Sequence, residues 1–323
     1  MGWFVEEGIG EERAIFVQAE RIYAAQIEWP GGLRAGEVAE AKLIRRAAGS
    51  SRGVAQFASG EEALIDGLPR SSSEGAPIRA EITRAAIGES GRRKRALCRP
   101  SDAPLRPAPT LAERLHTENR TVTEIRRFPV EGWDELIGEA MAQRIEFPRG
   151  ALLLSPTPAM TTIDVDGELD PRALALAAVP VIGETLRRLD IGGSVGIDFP
   201  GLGAKEDRKL VDNALDVALA GWPHERTAMN GFGFVQLVAR LKRPSILHRA
   251  TLDPAGMSAR LLLRQGEMLE GPGALLLTCH PDVEAKLRPE WLTELARRTG
   301  REVRIESTPA LAIEAGQAQL VPL

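Results

Sequence analysis

The first third of the chain alternates short apolar runs with glycine-rich turns. Residues 13–28 predict a hairpin, because two β-prone runs flank the polar residues 18–21. Further short strands are predicted between glycine-containing turns, at 37–45, 53–58, 63–65, 78–86 and 95–98. Many short strands joined by glycine turns favour a small β-barrel.

From residue 150 onward the pattern changes to alternating strands and helices. Apolar runs predict strands at 151–154, 160–165 and 193–199, and helical periodicity predicts helices at 171–189, 206–220 and 233–241. Pro180 lies inside the first of these helices, so a kink or an interruption is expected there. The end of the chain predicts a strand (274–278), a helix (289–299) and a strand (301–306), which together form a small α+β unit.

The segment between these two regions carries a linker and two helical patterns. Prolines at 100, 104, 107 and 109 predict an extended linker over 99–110. One or two helical turns are expected at 111–116, and helical spacing of apolar residues predicts a helix at 133–143. The fold class predicted for the whole chain is therefore α/β in the broad sense, with mixed α+β content.

Composition excludes several classes of protein. Apolar residues make up 43% of the 323 positions, but no apolar run approaches the length that crosses a bilayer. The N-terminus lacks the basic and apolar regions of a secretory signal. Cys98 and Cys279 are too few for a disulfide framework or a four-thiolate metal site, which favours two reduced structural thiols. We expect a cytoplasmic protein with no membrane partner.

The charge is mildly acidic overall but locally basic. The net charge of −4 does not by itself suggest nucleic acid. The densest basic stretch contains Arg92, Arg93, Lys94 and Arg95, with Arg84 before it and Arg99 after it. Such a run is either a solvated face or a surface that binds phosphates, and the pattern leaves both interpretations open.

Two apolar strands each end in a carboxylate. Asp164 and Asp198 stand at these ends, and a helix long enough for a crossover connects the two strands. If the strands are parallel neighbours, both carboxylates emerge at the same edge of the sheet. Their mutual repulsion would then favour a hard cation such as Mg²⁺, which can orient a phosphodiester and activate water. The alternative is that each aspartate is a turn or N-cap residue.

The motifs around these aspartates resemble the bacterial ribonuclease E/G family. In that family a strand ending Ala-Ile-Asp-Val-Asn precedes a helix ending Leu-Arg-Asp-Leu-Gly-Gly and a strand Ile-Val-Ile-Asp-Phe. The corresponding segments here are Thr162–Asp166, Leu186–Gly193 and Val195–Phe199. Residues 208–215 are similar to the family's Arg-x-x-Val-Glu-Asn-Arg-Leu helix, and 231–245 are similar to its Arg-Phe-Gly-Leu to Pro-Ser stretch.

The resemblance extends over nearly the whole chain and implies an architecture. It implies an N-terminal hairpin of the catalytic core (1–35) and an inserted S1-like, OB-type barrel that binds RNA (36–99). A linker with a reduced sensor region (100–130) would follow. The resemblance further implies a ribonuclease H-like or DNase I-like catalytic domain (131–262) and a small C-terminal α+β domain (263–323).

The resemblance also implies roles for individual residues. Asp164 and Asp198 would bind the catalytic Mg²⁺ or Mn²⁺, and Asp166 stands where the family has an asparagine that orients the first aspartate. Phe57 matches an aromatic that stacks on a base, although it could equally belong to the barrel core. Arg84 and Arg93 stand where the family has RNA-contacting lysines, which would place the run of Arg92, Arg93, Lys94 and Arg95 on the RNA path.

Several departures mark a short form of the family. The zinc-binding Cys-x-x-Cys that links family protomers after Pro-Ser is absent here. Most of the family's sensor for a 5′-monophosphate is missing between 100 and 130. Only Arg120-Thr121 resembles a residue pair of that sensor. Gly201 replaces a second family aspartate, and Gly231 replaces the arginine before Phe-Gly.

The expected function is that of a metal-dependent endoribonuclease acting in RNA processing or decay. It would hydrolyse single-stranded RNA and leave a 5′-phosphate and a 3′-hydroxyl. Single-stranded RNA is the expected partner. The sequence leaves open whether the chain forms a homodimer. Two alternatives remain: a non-catalytic RNA-binding protein that keeps the fold, and a scaffold of RNA decay that does not touch RNA.

Overall fold

The chain opens with three antiparallel strands. A computed structural model gives the structure of residues 2–89, 91–118 and 120–323, with the side chains of Glu89 and Arg92 outside the described part. The strands are β1 (Gly2–Gly8), β2 (Glu11–Gln18) and β3 (Arg21–Glu28). The hairpin predicted over 13–28 is confirmed as β2 and β3, and Ala19 and Glu20 make its turn at positive φ. The sequence pattern did not indicate β1.

A closed barrel follows. In chain order the strands are β4 (Val38–Arg46), β5 (Gly53–Phe57), β6 (Glu62–Ile65), β7 (Pro77–Arg84), β8 (Ile87–Glu89), β9 (Arg92–Lys94) and β10 (Ala96–Pro100). Five of them close the barrel in the order β10-β6-β5-β4-β7, while β8 and β9 pair as a separate ribbon. Ala55, Ala63 and Ala80 are fully buried inside, as the narrow interior of a small barrel requires. The predicted small β-barrel is confirmed.

The proline-bearing linker ends in a capped helix, α1 (Leu111–Thr117). The Thr110 hydroxyl accepts a hydrogen bond from the Glu113 amide at 3.2 Å, and the Glu113 carboxylate accepts one from the Thr110 amide at 2.8 Å. This capping box satisfies backbone donors at the helix start. The helix predicted at 111–116 is confirmed. The next strand, β11 (Val122–Ile125), pairs parallel with β1 and completes a sheet of order β11-β1-β2-β3.

A six-stranded sheet forms the largest unit. Its elements in chain order are α2 (Trp133–Ala142), β12 (Arg144–Phe147), β13 (Gly150–Pro156), β14 (Thr161–Gly167), α3 (Pro171–Arg188), β15 (Gly193–Asp198), α4 (Lys205–Ala218), β16 (His224–Arg226) and β17 (Phe234–Ala239). The strand order is β12-β13-β14-β15-β17-β16. β14 and β15 run parallel, and α3 makes the crossover between them.

The helix α3 covers one face of this sheet. Ala175, Ala178, Ile182 and Leu186 are fully buried in the core that α3 shares with the strands. The helix runs through Pro180 as one element, so the interruption expected there does not occur. Burial of this apolar face stabilises the helix more than the proline weakens it, since each large apolar side chain buried contributes roughly 1.5–3 kcal/mol.

The helix predicted at 233–241 is wrong, because this segment is the strand β17. Val235 and Leu237 are buried while Gln236 and Val238 are exposed, which is the period-two alternation of a half-buried strand. β17 pairs antiparallel with β15 along its whole length. The apolar content of this segment is compatible with a helix or a strand, and pairing with β15 makes it a strand.

The C-terminal part adds a second, smaller core. In chain order the elements of this part are α5 (Ile246–Leu252), α6 (Pro254–Met268), β18 (Ala274–Cys279), α7 (Pro281–Glu284), α8 (Pro289–Thr299), β19 (Val303–Ser307) and β20 (Gln317–Val321). The buried apolar residues of α5 still belong to the core of the six-stranded sheet, and the smaller core includes residues of α6 and the elements that follow it. The three strands form a sheet of order β19-β18-β20. The predicted mixed α+β class is confirmed. The ribonuclease H-like character of the six-stranded sheet stays a prediction of the resemblance.

Two further expectations concern the cysteines and the membrane. Cys98 and Cys279 are buried and form no disulfide. Burial raises the pKa of the Cys98 thiol to about 12, and burial together with Glu284 raises the pKa of Cys279. Both thiols therefore stay protonated, which suits structural roles. Among the helices of the described residues, none is both long and apolar enough to cross a bilayer.

Candidate active site

Two aspartates lie side by side on the parallel pair of the central sheet. Asp164 of β14 and Asp198, the last residue of β15, are direct register partners. Adjacent strands are about 4.8 Å apart, so the two carboxylates start from neighbouring backbone positions. The crossover by α3 brings about this arrangement, as the sequence predicted.

Side-chain alternation turns both carboxylates away from the core. Ile163 and Ile197, each one residue earlier, are fully buried against the α3 side of the sheet. Asp164 and Asp198 are exposed on the opposite face, and Asp166 follows two residues later on the same face as Asp164. A register slip of one residue would bury the carboxylates and expose the isoleucines, so the hydrophobic pattern fixes the position of the pair.

The carboxylates on this face of the sheet repel one another when they are ionised. Partial burial raises the pKa of Asp164, and the negative charges of Asp198 and Asp166 raise it further. A hydrogen bond involving the Val165 backbone acts in the opposite direction. Asp164 therefore gives up its proton less readily than an isolated aspartate, and a nearby cation would relieve the repulsion.

The donor set suits a cation that keeps part of its water. Within the described residues no group of three His, Cys, Asp or Glu side chains is arranged to enclose a metal ion. Mg²⁺ does not need such an enclosure, because it is commonly held by one or two carboxylates, several waters and substrate phosphates. The Asp164–Asp198 pair fits this mode of binding.

A glycine and a phenylalanine shape the sheet next to Asp198. A Cβ at Gly196 would lie 2.5 Å from a ring carbon of Phe234 and 2.8 Å from the sulfur of Met160. Phe234 is the register partner of Asp198, so its ring and Met160 lie over the strand that carries this aspartate. Where this chain has Gly196 and Phe234, the resemblance gives valine and leucine. The small residue on one strand makes room for the large ring on the next.

The turn before β17 is the part of the site that the sequence analysis missed. The Asn230 side-chain oxygen accepts hydrogen bonds from the amides of Phe232 at 2.9 Å and Phe234 at 3.1 Å. Gly233 sits at φ +87°, and its carbonyl accepts a hydrogen bond from the Phe199 amide at 3.2 Å. The sequence Asn-Gly-Phe-Gly was itself a turn signal, but the helix predicted at 233–241 obscured it.

Phe57 belongs to the barrel core. Its side chain is 5% exposed and lies in the same cluster as Leu43 and Ile65. A base could reach its ring face only after side chains around it moved. Phe57 therefore lies in the barrel core, which was the second interpretation of this residue from the sequence. Its role in base stacking stays a prediction.

The basic run is anchored to the barrel by acidic partners. Arg93 lies 3.1 Å from Glu61 and Arg95 lies 3.0 Å from Glu62, while the side chains of both arginines stay substantially solvent-accessible. Arg84 donates a hydrogen bond to the Arg95 carbonyl at 2.8 Å. These arginines and the neighbouring Lys94 therefore lie close together where the β8–β9 ribbon meets the barrel. Arg92 shares strand β9 with Arg93 and Lys94, and its side chain lies outside the described part.

Comparison with known proteins adds a distant relationship. Over 125 residues the chain is 30% identical to ribonuclease G of Escherichia coli (strain K12), a match that covers 35% of this chain and 25% of that protein. Ribonuclease G of Shigella flexneri matches equally, and that of Salmonella typhimurium (strain SL1344) is 29% identical over the same length. No family model matches the chain. This homology supports a relationship to ribonuclease E/G-like proteins at most, since the match spans only a quarter of their length.

Proposed function

We propose that this chain is a divalent-metal-dependent endoribonuclease that hydrolyses single-stranded RNA in RNA processing or decay. The observation that carries the proposal is the register pairing of Asp164 with Asp198 on the exposed face of the central sheet. The distant homology to ribonuclease G supports the substrate class. The direct test is cleavage of a labelled single-stranded RNA with and without Mg²⁺.

The two aspartates would hold Mg²⁺ or Mn²⁺ through their carboxylate oxygens. When bound there, the ion would orient the scissile phosphodiester and make an attacking water more acidic. Asp166 adds negative charge on the same face and, when ionised, accepts hydrogen bonds without donating any. In-line attack would leave a 5′-phosphate and a 3′-hydroxyl, as the resemblance implies.

A non-catalytic RNA-binding protein is the rival proposal. Gly201 and Gly231 replace an aspartate and an arginine of the family. The surroundings of the Asp164–Asp198 pair are therefore less polar than the resemblance implies. The rival predicts RNA binding without cleavage. It is therefore separated from the favoured proposal by the same labelled-RNA assay.

Replacing Asp164 by Asn is expected to stabilise the metal-free protein at neutral pH. The raised pKa means that folding disfavours the ionised carboxyl, so this cost is present above the folded-state pKa and disappears as the pH falls below the unfolded value. Because Asp164 is exposed, the gain should be below about 1 kcal/mol, or a few degrees in Tm. Thermal melts in a chelator at neutral and acidic pH measure it.

Melts of the same proteins with Mg²⁺ in place of the chelator test metal binding. Mg²⁺ should raise the Tm of the wild-type protein, because a ligand that binds only the folded state stabilises it. It should raise the Tm of Asp164→Asn much less. Asp102→Asn, at an exposed position on the linker, serves as the matched control and should respond to Mg²⁺ like wild type. Equal Mg²⁺ responses in wild type and Asp164→Asn would place the metal elsewhere.

Replacing Arg92, Arg93, Lys94 and Arg95 together by Ala is expected to weaken binding to all single-stranded RNA sequences alike. Each neutralised phosphate releases counterions, so the slope of log affinity against log salt should flatten by roughly 0.7 for each phosphate that the variant no longer neutralises. Binding in a chelator at several salt concentrations measures both quantities.

The control for this prediction removes similar cations from another part of the molecule. The side chains of Arg297 and Arg304 are 70% and 39% exposed, and each is also paired with a glutamate, at 2.7 and 2.9 Å. Their double replacement by Ala should leave affinity and slope unchanged. Unchanged affinity and slope in the fourfold variant would show that residues 92–95 are only a solvated face.

A further inference from the structure

Phe232 leaves almost its whole ring in water. The residue is 87% exposed, and among the phenylalanines, tryptophans and the tyrosine of the chain, all of which lie in the described part, it alone is exposed. Burial of a phenylalanine ring stabilises a folded protein, and the free protein forgoes that stabilisation here. Single exposed apolar residues are common, however, so exposure needs an independent observation beside it.

The independent observation is that several hydrogen bonds hold the backbone that carries this ring. The backbone N–H of Asn230 donates a hydrogen bond to the Phe234 carbonyl at 3.1 Å, and the backbone carbonyl of Asn230 accepts one from the Gly233 N–H at 3.2 Å. Its side-chain oxygen also accepts the amides on both sides of Gly233, those of Phe232 and Phe234. The left-handed φ of Gly233 favours glycine at that position. The backbone of a turn bound this closely loses little further freedom when a ligand binds to Phe232.

The turn is attached to the strand that ends in Asp198. The Gly233 carbonyl accepts the Phe199 amide, and a Cβ at Gly233 would lie only 2.7 Å from the Phe199 carbonyl. Phe199 directly follows Asp198. Phe232 and Asp198 are thus the chain neighbours of the two residues, Gly233 and Phe199, that this hydrogen bond joins.

The surroundings of Phe232 fit one flat ligand better than a protein surface. Its chain neighbours Asn230, Gly231 and Gly233 contribute no apolar side chain to a patch. A stable protein interface needs on the order of 1,000 Å² of matched surface. A single ring face instead matches a single nucleobase, and proteins bind unpaired bases by such stacking.

We propose that Phe232 is a base-stacking residue of this site, holding a base next to the phosphodiester that a cation on Asp164 and Asp198 would orient for attack by water. This inference rests on the proposed function and gives it a specific RNA contact. It adds to Phe57, whose ring is buried, a second ring that a base reaches without rearrangement.

The test uses a single-stranded RNA that carries the fluorescent base 2-aminopurine at successive positions. Binding and quenching are measured in a chelator, so that the RNA stays intact and the readout does not depend on cleavage. Phe232→Ala should weaken binding about 5- to 150-fold, the equivalent of one stacked base, and abolish quenching at one position. Phe232→Trp should restore both. The salt slope and the Tm should stay at their wild-type values, because the ring carries no charge and packs against little.

The matched control is Val217→Ala on α4, which removes another exposed apolar side chain (78% exposed) and should change nothing. Wild-type affinity and quenching in Phe232→Ala would overturn the inference. So would a dimer that dissociates in Phe232→Ala with RNA binding unchanged, since the ring would then contact a second copy of the chain.

Failure of the inference and failure of the proposed function give different results. If wild type cuts RNA and Phe232→Ala binds and cuts it equally well, the stacking role is wrong and the nuclease stands. If wild type binds RNA without cutting it and Phe232→Ala loses binding, the stacking role stands and the nuclease is wrong. If wild type binds no single-stranded RNA, both are wrong.

Discussion

Replacing Asp198 by Asn is expected to lower the rate of RNA cleavage by orders of magnitude and leave the fold intact. Hard cations prefer charged carboxylate oxygens, and a neutral amide of the same size is a poor ligand for them. Asp198 is exposed at the end of β15, so the exchange disturbs no buried packing. Initial rates on a labelled RNA at saturating Mg²⁺ measure the loss, and Asp164→Asn should behave in the same way.

Two controls make this prediction specific. Asp166→Asn restores the residue that the resemblance places at this position, and it should keep most of the activity. Asp102→Asn removes an exposed carboxylate from the linker and should have no effect. Wild-type rates in both Asp164→Asn and Asp198→Asn would show that the chemistry lies elsewhere.

Replacing Arg13 by Ala should destabilise the protein by about 3–5 kcal/mol, the cost of breaking a buried ion pair. Arg13 lies 2.7 Å from Glu6 and 2.9 Å from Glu11, and all three side chains are at most 3% exposed. Glu6 also lies 3.4 Å from Arg264 of α6, so the cluster ties the N-terminal sheet to the C-terminal part. Without Arg13, carboxylates that water cannot reach lose their main partner.

Urea and thermal melts measure this loss, with Arg297→Ala as the control. Arg297 pairs with Glu294 on the surface of α8, where its side chain is 70% exposed, so its removal should leave the melting midpoints close to those of wild type. Arg13→Ala combined with Glu6→Gln should recover part of the loss, because one uncompensated charge is then gone. A cost below about 1 kcal/mol for Arg13→Ala would show that water enters the cluster.

The sequence could predict the aspartate pair because two simple regularities converge there. Apolar residues at Ile163 and Ile197 fix which face of each strand is buried, and the length of the intervening helix allows a crossover between parallel strands. Neither regularity depends on distant contacts. The barrel was predictable on similar grounds, since glycines divide it into strands of ordinary length.

The rest could not be predicted because it depends on pairing between distant segments. Segment 234–239 became a strand since it borders β15, and its sequence alone suited a helix as well. Phe57 and Phe232 are both phenylalanines near glycines, yet one fills the barrel and the other stands in solvent. Only the packing of neighbouring strands separates a core ring from an exposed one.

Incubation of an internally cleavable, 5′-labelled single-stranded RNA with the purified protein tests the central claim most directly. We predict internal cuts in Mg²⁺ or Mn²⁺ that leave 3′-hydroxyl ends, no cuts in a chelator, and none with Asp198→Asn. RNA that is bound but stays intact in Mg²⁺ would contradict the claim and favour the non-catalytic RNA-binding protein. Cutting that continues in the chelator would contradict the role of the Asp164–Asp198 pair.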